Sequence, residues 1–223
     1  LSRYRISKRP GDITAWTPER SFNNGVGTTY SNLFYLPNDN NGAGRLYNFT
    51  RTVNFNPNFI VSDDLGETWA YGGRLLTVGR GNVRPYVRYA SDGRRIHLIT
   101  TDHHPRNADT SIFYAYIKNG QLFNSTASLL DSNLFDSSAS QPGNLTQVLA
   151  AGTKFGGVPM HHAWTIDLEI DVEGQPYAVF VARAKNDTSD PRFFYARFEG
   201  TEWKVYELAK AGGYLFESEE DYT

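Results

Sequence analysis

Apolar and polar positions alternate along this chain in short runs, and turn-forming residues break every run. TTYSNLFYLP (28–37), RLYNFTRTV (45–53), NFIVSDD (58–64) and WAYGGRLLTV (69–78) are rich in β-branched and aromatic residues, with Asn, Gly and Pro between them. That pattern predicts four short strands. It returns within 84–126 as RPYVRYASDG, RRIHLITT, SIFYAYIKNG and QLFNST, where Asp-Gly and Asn-Gly mark two of the turns. It returns again within 163–210 as AWTIDLEIDVEG, PYAVFVAR, RFFYARFEGTE and WKVYELAK. Units of four strands recurring about every 50 residues are the signature of propeller blades.

The expected fold is therefore all-β, a β-propeller of four-stranded blades, of which about four are represented. Residues 1–22 read as outer strands of a blade, and 26–79 and 83–127 as two blades. The polar stretch 128–157 reads as a connecting surface excursion with one apolar piece, VLAA, followed by a blade over 158–210 and the start of another over 211–223. An open set of blades leaves long unpaired edges, so a longer natural protein is expected.

Register comes from SDDLGETW (62–69), which matches S-x-D-x-G-x-T-W, the Asp-box pattern. The motif asks for Ser62, an Asp64 carboxylate folded back onto backbone N–H groups, Gly66 at positive φ, Thr68, and Trp69 to pack the turn on the sheet. These five residues are expected to be structural, joining the third and fourth strands of a blade.

Composition narrows the function classes. The net charge of −2 excludes a globally basic nucleic-acid binder. The absence of Cys removes disulfides and thiolate metal sites. No apolar run reaches the roughly 18 residues of a membrane span, so no membrane partner is expected. Four sequons, at Asn48, Asn124, Asn144 and Asn186, point to a secreted or extracellular protein, periplasmic if bacterial. A monomer is expected.

Strand register also predicts which loops share a face. One face collects Arg51, Arg84, His103, His104, Arg106, His161, His162, Arg183, Lys185 and Arg192, while the opposite loops are mainly acidic. A basic face suits an anionic ligand. TTDHHPRNADT (100–110) is its most chemically loaded segment, with two His, an Arg and a proline-fixed turn at a strand end. One imidazole there suits a general acid or base near neutral pH. Arg84 and Arg183 occupy equivalent strand ends and suit a carboxylate. Arg51, Arg106, His162, Lys185 and Arg192 are the expected substrate-binding residues. No metal site and no required cofactor are assigned. Tyr30, Tyr35, Tyr114 and Tyr195 lie in strands and are expected in the core.

The segments RPYVRYASDGRRIHLITTDHHPRNADTSIFYAYIKNG, AWTIDLEIDVEGQPYAVFVAR and FFYARFEGTEW resemble the BNR-repeat propellers. That family includes ulvan lyases and the lyases and hydrolases that remove terminal rhamnose from glucuronate in gum arabic. The resemblance covers most of the chain and implies a seven-bladed ring. It also implies that His104, before Pro105, is a pocket His and that Arg183 neutralises a carboxylate. Arg84 stands where a second pocket His is expected, and His162 stands near the position of a catalytic Tyr.

The expected function is cleavage of a glucuronate-containing, rhamnose-bearing acidic polysaccharide by β-elimination. His104 would take the C5 proton, with His103 beside it, while Arg183 and Arg84 stabilise the enolate-like intermediate. A glycoside hydrolase of rhamnosidase or sialidase type and a non-catalytic glycan-binding propeller remain as alternatives.

Overall fold

The computed structural model describes residues 1–23, 27–78, 83–136 and 138–212. Four antiparallel sheets make up the chain. The first is a hairpin-like pair, β1 (Ser2–Tyr4) with β2 (Arg20–Phe22). The second runs in sequence order through β3 (Thr29–Leu36), β4 (Arg45–Arg51), β5 (Pro57–Ser62) and β6 (Ala70–Arg74). The third holds β7 (Val87–Ser91), β8 (Ile96–Thr101), β9 (Ile112–Lys118), β10 (Gln121–Phe123), β11 (Leu129–Asp131) and β12 (Thr146–Leu149). The fourth holds β13 (Lys154–Phe155), β14 (Val158–Ile170), β15 (Pro176–Ala184), β16 (Pro191–Phe198) and β17 (Trp203–Lys210). The expected start of a further blade at 211–223 lies outside the described residues beyond Gly212.

The Asp-box links β5 to β6. Asp64 Oδ1 accepts the Thr68 N–H at 2.8 Å and the Ser62 hydroxyl at 2.7 Å, and Oδ2 accepts the Thr68 hydroxyl at 2.6 Å. These bonds, the Thr68 hydroxyl first among them, pull the Asp64 carboxyl down to about 2. Gly66 takes φ 92°, and Trp69 packs edge-on against Tyr4, 6.1 Å between ring centres.

The blades pack face to face, because each sheet buries apolar side chains on both faces. Tyr47, Phe49 and Phe59 of the second sheet meet Ile96, Leu98 and Phe113 of the third, and Phe49 stacks on Tyr89 at 4.5 Å. Ile99, Ile112 and Tyr114 of the third sheet meet Met160, Leu168 and Phe180 of the fourth. A buried polar tie crosses the first of these interfaces. The Tyr47 hydroxyl donates to Asp39 Oδ2 at 2.6 Å, and Asp39 Oδ1 accepts the Asn119 N–H at 3.1 Å.

Three expectations change. The stretch 128–157 is more than a surface excursion, since it contributes β11, β12 and β13. β10 pairs only with Tyr116–Lys118 of β9, which leaves the Ile112–Tyr114 edge open. β12 closes that edge and buries Val148 and Leu149 of the VLAA piece. Tyr30 and Tyr35 are not core residues, being 55% and 42% exposed, and Tyr30 sits in an irregularity of the β3–β4 register at φ 64°. Asn48 of the first sequon is buried within β4, where its Oδ1 accepts the Ser31 hydroxyl, so in the folded chain it is not a surface position as a glycan site would be.

Candidate functional site

Four segments converge on one face. The end of β4 carries Arg51, and the segment entering β7 carries Arg84, Pro85 and Tyr86. The β8–β9 loop carries His103, His104 and Arg106, and the first half of β14 carries His162 and Trp164. Pro85 disfavours a helical backbone at Arg84. The backbone of Tyr86 is clamped: its N–H donates to Thr101 Oγ1 at 2.9 Å, and its carbonyl accepts the Thr101 N–H at 3.1 Å and the Thr165 hydroxyl at 3.3 Å.

At the centre, Tyr86, His104 and Trp164 form a triangle of rings. Centroid separations are 5.2 Å for Tyr86–His104, 4.6 Å for Tyr86–Trp164 and 5.4 Å for His104–Trp164. Trp164 follows a bulge in β14. The pairing with β15 shifts between His161 and Trp164, and His162 takes φ 47°, so strict strand alternation does not set where Trp164 points. His162 Nδ1 donates to the Pro105 carbonyl at 2.6 Å, which fastens the His104 loop to β14.

His104 has a defined tautomer. Its Nδ1 accepts the Arg106 backbone N–H at 3.1 Å, so a neutral ring carries its proton on Nε2, 3.4 Å from Tyr86 Oη. Burial lowers the His104 pKa, and the charges of Arg51, Arg84 and Arg106 lower it further, so the ring is neutral at neutral pH. Burial raises the Tyr86 pKa, while the Arg51 guanidinium partly opposes that rise.

Arg51 and Arg84 are held by aromatic rings and not by carboxylates. The Arg51 guanidinium lies 4.8 Å from the Tyr30 ring centre and 5.4 Å from that of Tyr86, and Arg84 lies 4.1 Å from that of Phe55. Arg51 Nε and Nη1 and Arg84 Nε are buried with no protein acceptor. A cavity of about 100 Å³ opens beside Arg51, lined by Tyr30, Thr50, Arg51, Pro85, Tyr86 and Trp164 among others, with no acidic side chain in its lining.

The remaining expected site residues lie elsewhere or are engaged. His103 is half exposed, its Nδ1 3.7 Å from Asp102 Oδ2. Lys185 Nζ binds Asp109 Oδ2 at 2.7 Å, and His161 and His162 approach the same carboxylate at 3.5 and 3.4 Å. That ammonium contact, ahead of the other causes, holds the Asp109 carboxyl below its usual range. Among the described residues no group of His and carboxylates is arranged to hold a metal ion. Arg183 is buried, and its Nη1 donates to the carbonyls of Ala184 and Lys185. Arg192 is buried too, bound to Asp190 by Nε and Nη2 and to Glu207 by Nη1 at 3.0 Å.

Sequence reasoning missed Tyr86, Trp164, Tyr30 and Phe55. Only Tyr86 had a local signal, its place two residues after Arg84 and directly after Pro85.

Comparison with known proteins agrees with this architecture. No curated protein sequence matches the chain. Among solved structures, it is similar to an ulvan lyase from a new family of polysaccharide lyase, bound to -[GlcA(1-4)Rha3S]-. The TM-score is 0.65 at 18% identity, covering 91% of this chain and 48% of that one. An ulvan lyase structure of the same description, with no oligosaccharide named, is similar at a TM-score of 0.63 and 18% identity, over the same shares of each chain. This chain thus spans about half the length of those structures, and at that identity the likeness establishes the fold, a β-propeller of the ulvan-lyase kind. The family described as BNR repeat-containing matches residues 2–211, nearly the whole sequence, and the chain belongs to it.

Proposed function

We propose that this protein is a carbohydrate-active enzyme that cleaves a glucuronate-containing, rhamnose-bearing acidic polysaccharide by β-elimination. The observation that carries this reading is the pair of guanidinium groups, Arg51 and Arg84, whose buried N–H donors lack protein acceptors beside the Tyr86–His104 pair. A uronate carboxylate fits those donors, and its neutralisation acidifies C5.

The tautomer of His104 reassigns the proton transfer. With Nδ1 accepting from Arg106 and Nε2 protonated, the neutral ring has no lone pair for the C5 proton. Tyr86 takes that role, and His104 Nε2–H steadies its oxygen. In a gluco-configured uronate, H5 and O4 lie on the same side of the ring, so one hydroxyl serves both. Tyr86 Oη accepts the C5 proton as its own proton passes to O4. The C4–O4 bond breaks, a C4–C5 double bond forms, and Tyr86 ends neutral. Hydrolysis instead usually uses two carboxylates about 5–10 Å apart, and the lining of this cavity contains none.

A polymeric substrate of this kind lies outside cells, which agrees with a secreted protein. The test is to incubate the intact protein with ulvan and, separately, with gum arabic, following ultraviolet absorbance of an unsaturated uronate and free rhamnose together. Rising absorbance supports elimination. Rhamnose release without absorbance means hydrolysis, and silence in both overturns the enzymatic reading for these glycans.

A further inference from the structure

The elimination chemistry does not use two exposed aromatic rings, one in β3 and one in the turn between β4 and β5. Tyr30 is 55% exposed and Phe55 42% exposed, and both have left-handed backbones, at φ 64° and φ 59°. Bulky L-residues avoid that region, so the fold holds both rings outward against their local preference. Phe55 ends a 3-10 turn, Val53–Phe55, in which Asn54 is left-handed as well. Its shape is kept by Phe55 N–H to the Thr52 carbonyl at 3.0 Å and Asn56 N–H to the Val53 carbonyl at 3.1 Å.

Each ring lies against one of the two arginines with unpaired donors, Tyr30 against Arg51 and Phe55 against Arg84. Solvation favours neither exposed ring, and neither is needed to fill the core. An aromatic face kept open beside a carboxylate-binding guanidinium matches the C–H face of a pyranose, which stacks on such rings while its hydroxyls stay wet.

We infer that Tyr30 and Phe55 are sugar-stacking platforms that bind the pyranose units flanking the uronate held by Arg51 and Arg84. This rests on the acidic-glycan reading above and extends it from a single uronate contact to an oligosaccharide-length site. A competing role for the rings is merely to orient the arginines, and the two roles separate by ligand length.

The test uses Tyr30→Gly and Phe55→Gly, because glycine accepts positive φ and leaves the backbone unstrained. Calorimetric binding is measured for free glucuronate and for an oligosaccharide of -[GlcA(1-4)Rha3S]- units, with Tyr30→Phe and Phe55→Tyr as conservative controls. The expected result is a loss of about tenfold in oligosaccharide affinity per glycine variant, with glucuronate affinity retained and the aromatic controls close to native. Equal losses for glucuronate and oligosaccharide would assign the rings to arginine positioning and overturn the inference. Unchanged oligosaccharide affinity in both glycine variants overturns it alone, whereas a native protein that binds neither ligand overturns the acidic-glycan reading with it.

Discussion

His104 Nε2 lies 3.4 Å from Tyr86 Oη, while the opposite ring nitrogen of His104 accepts the Arg106 backbone N–H. The imidazole is thereby fixed as a donor to the phenol. Tyr86→Phe should lower kcat for elimination by about 10²–10⁴-fold, with substrate affinity largely kept. His104→Gln, whose amide N–H can replace the Nε2 donor, should retain more activity than His104→Ala. Steady-state rates of unsaturated product distinguish these outcomes, and full activity in Tyr86→Phe would remove Tyr86 from the mechanism.

Under the proposed elimination, Arg51 and Arg84 would place positive charge where a uronate carboxylate gains enolate character. Each Arg→Ala change should reduce kcat/KM by about 10²–10³-fold. Arg→Lys should recover part of this, since an ammonium supplies charge without the planar fork. Oligosaccharide binding should also weaken as ionic strength rises. Salt-independent binding, or an unaffected Arg51→Ala, would disconnect these residues from the carboxylate.

His97 gives the fold an acid-sensitive point away from the site. It is fully buried, its Nδ1 2.5 Å from Tyr114 Oη, and its pKa falls to about 4. Burial is the main cause and Arg95 adds to it, while Asp92 opposes both. The unfolded chain takes up this proton near pH 6.5 and the native one only near pH 4, so its contribution is present above pH 6.5. It is lost as pH falls through that window, at about 3 kcal/mol in all. Denaturant midpoints between pH 7 and pH 4 should therefore decline, and His97→Gln should flatten the decline.

The Tyr47–Asp39–Asn119 tie predicts a stability loss without a change in site geometry. Tyr47→Phe leaves a buried Asp39 oxygen without its hydroxyl donor and should cost about 1–3 kcal/mol. Urea unfolding of the variant checks this, and an unchanged midpoint would mean that Asp39 finds another partner.

Much of the architecture was legible from local chemistry. Alternating runs and turn residues located β3 to β10 and β14 to β17, because strand formation and turn geometry depend on residues close in sequence. Asp64, Gly66 and Thr68 announced their turn for the same reason, since every bond in it spans four residues or fewer. β12 escaped because its role is set by a partner, β9, whose outer edge β10 covers only in part. Tyr30 and Tyr35 were misplaced because burial depends on which face a neighbouring sheet covers.

The site divides along the same line. By itself, the sequence determined that Arg51, Arg84 and His104 share a face, because strand ends follow from strand order. Only the tertiary structure decided which cations of that face stay available. Arg192 closes on Asp190 and Glu207, Lys185 closes on Asp109, and Arg51 and Arg84 keep N–H donors with no protein acceptor. It also brought Tyr86 to His104, and Trp164 to both across a β-bulge. Pairing between side chains far apart in sequence depends on how one sheet packs against the next, a long-range relationship that residue pattern along the chain does not carry.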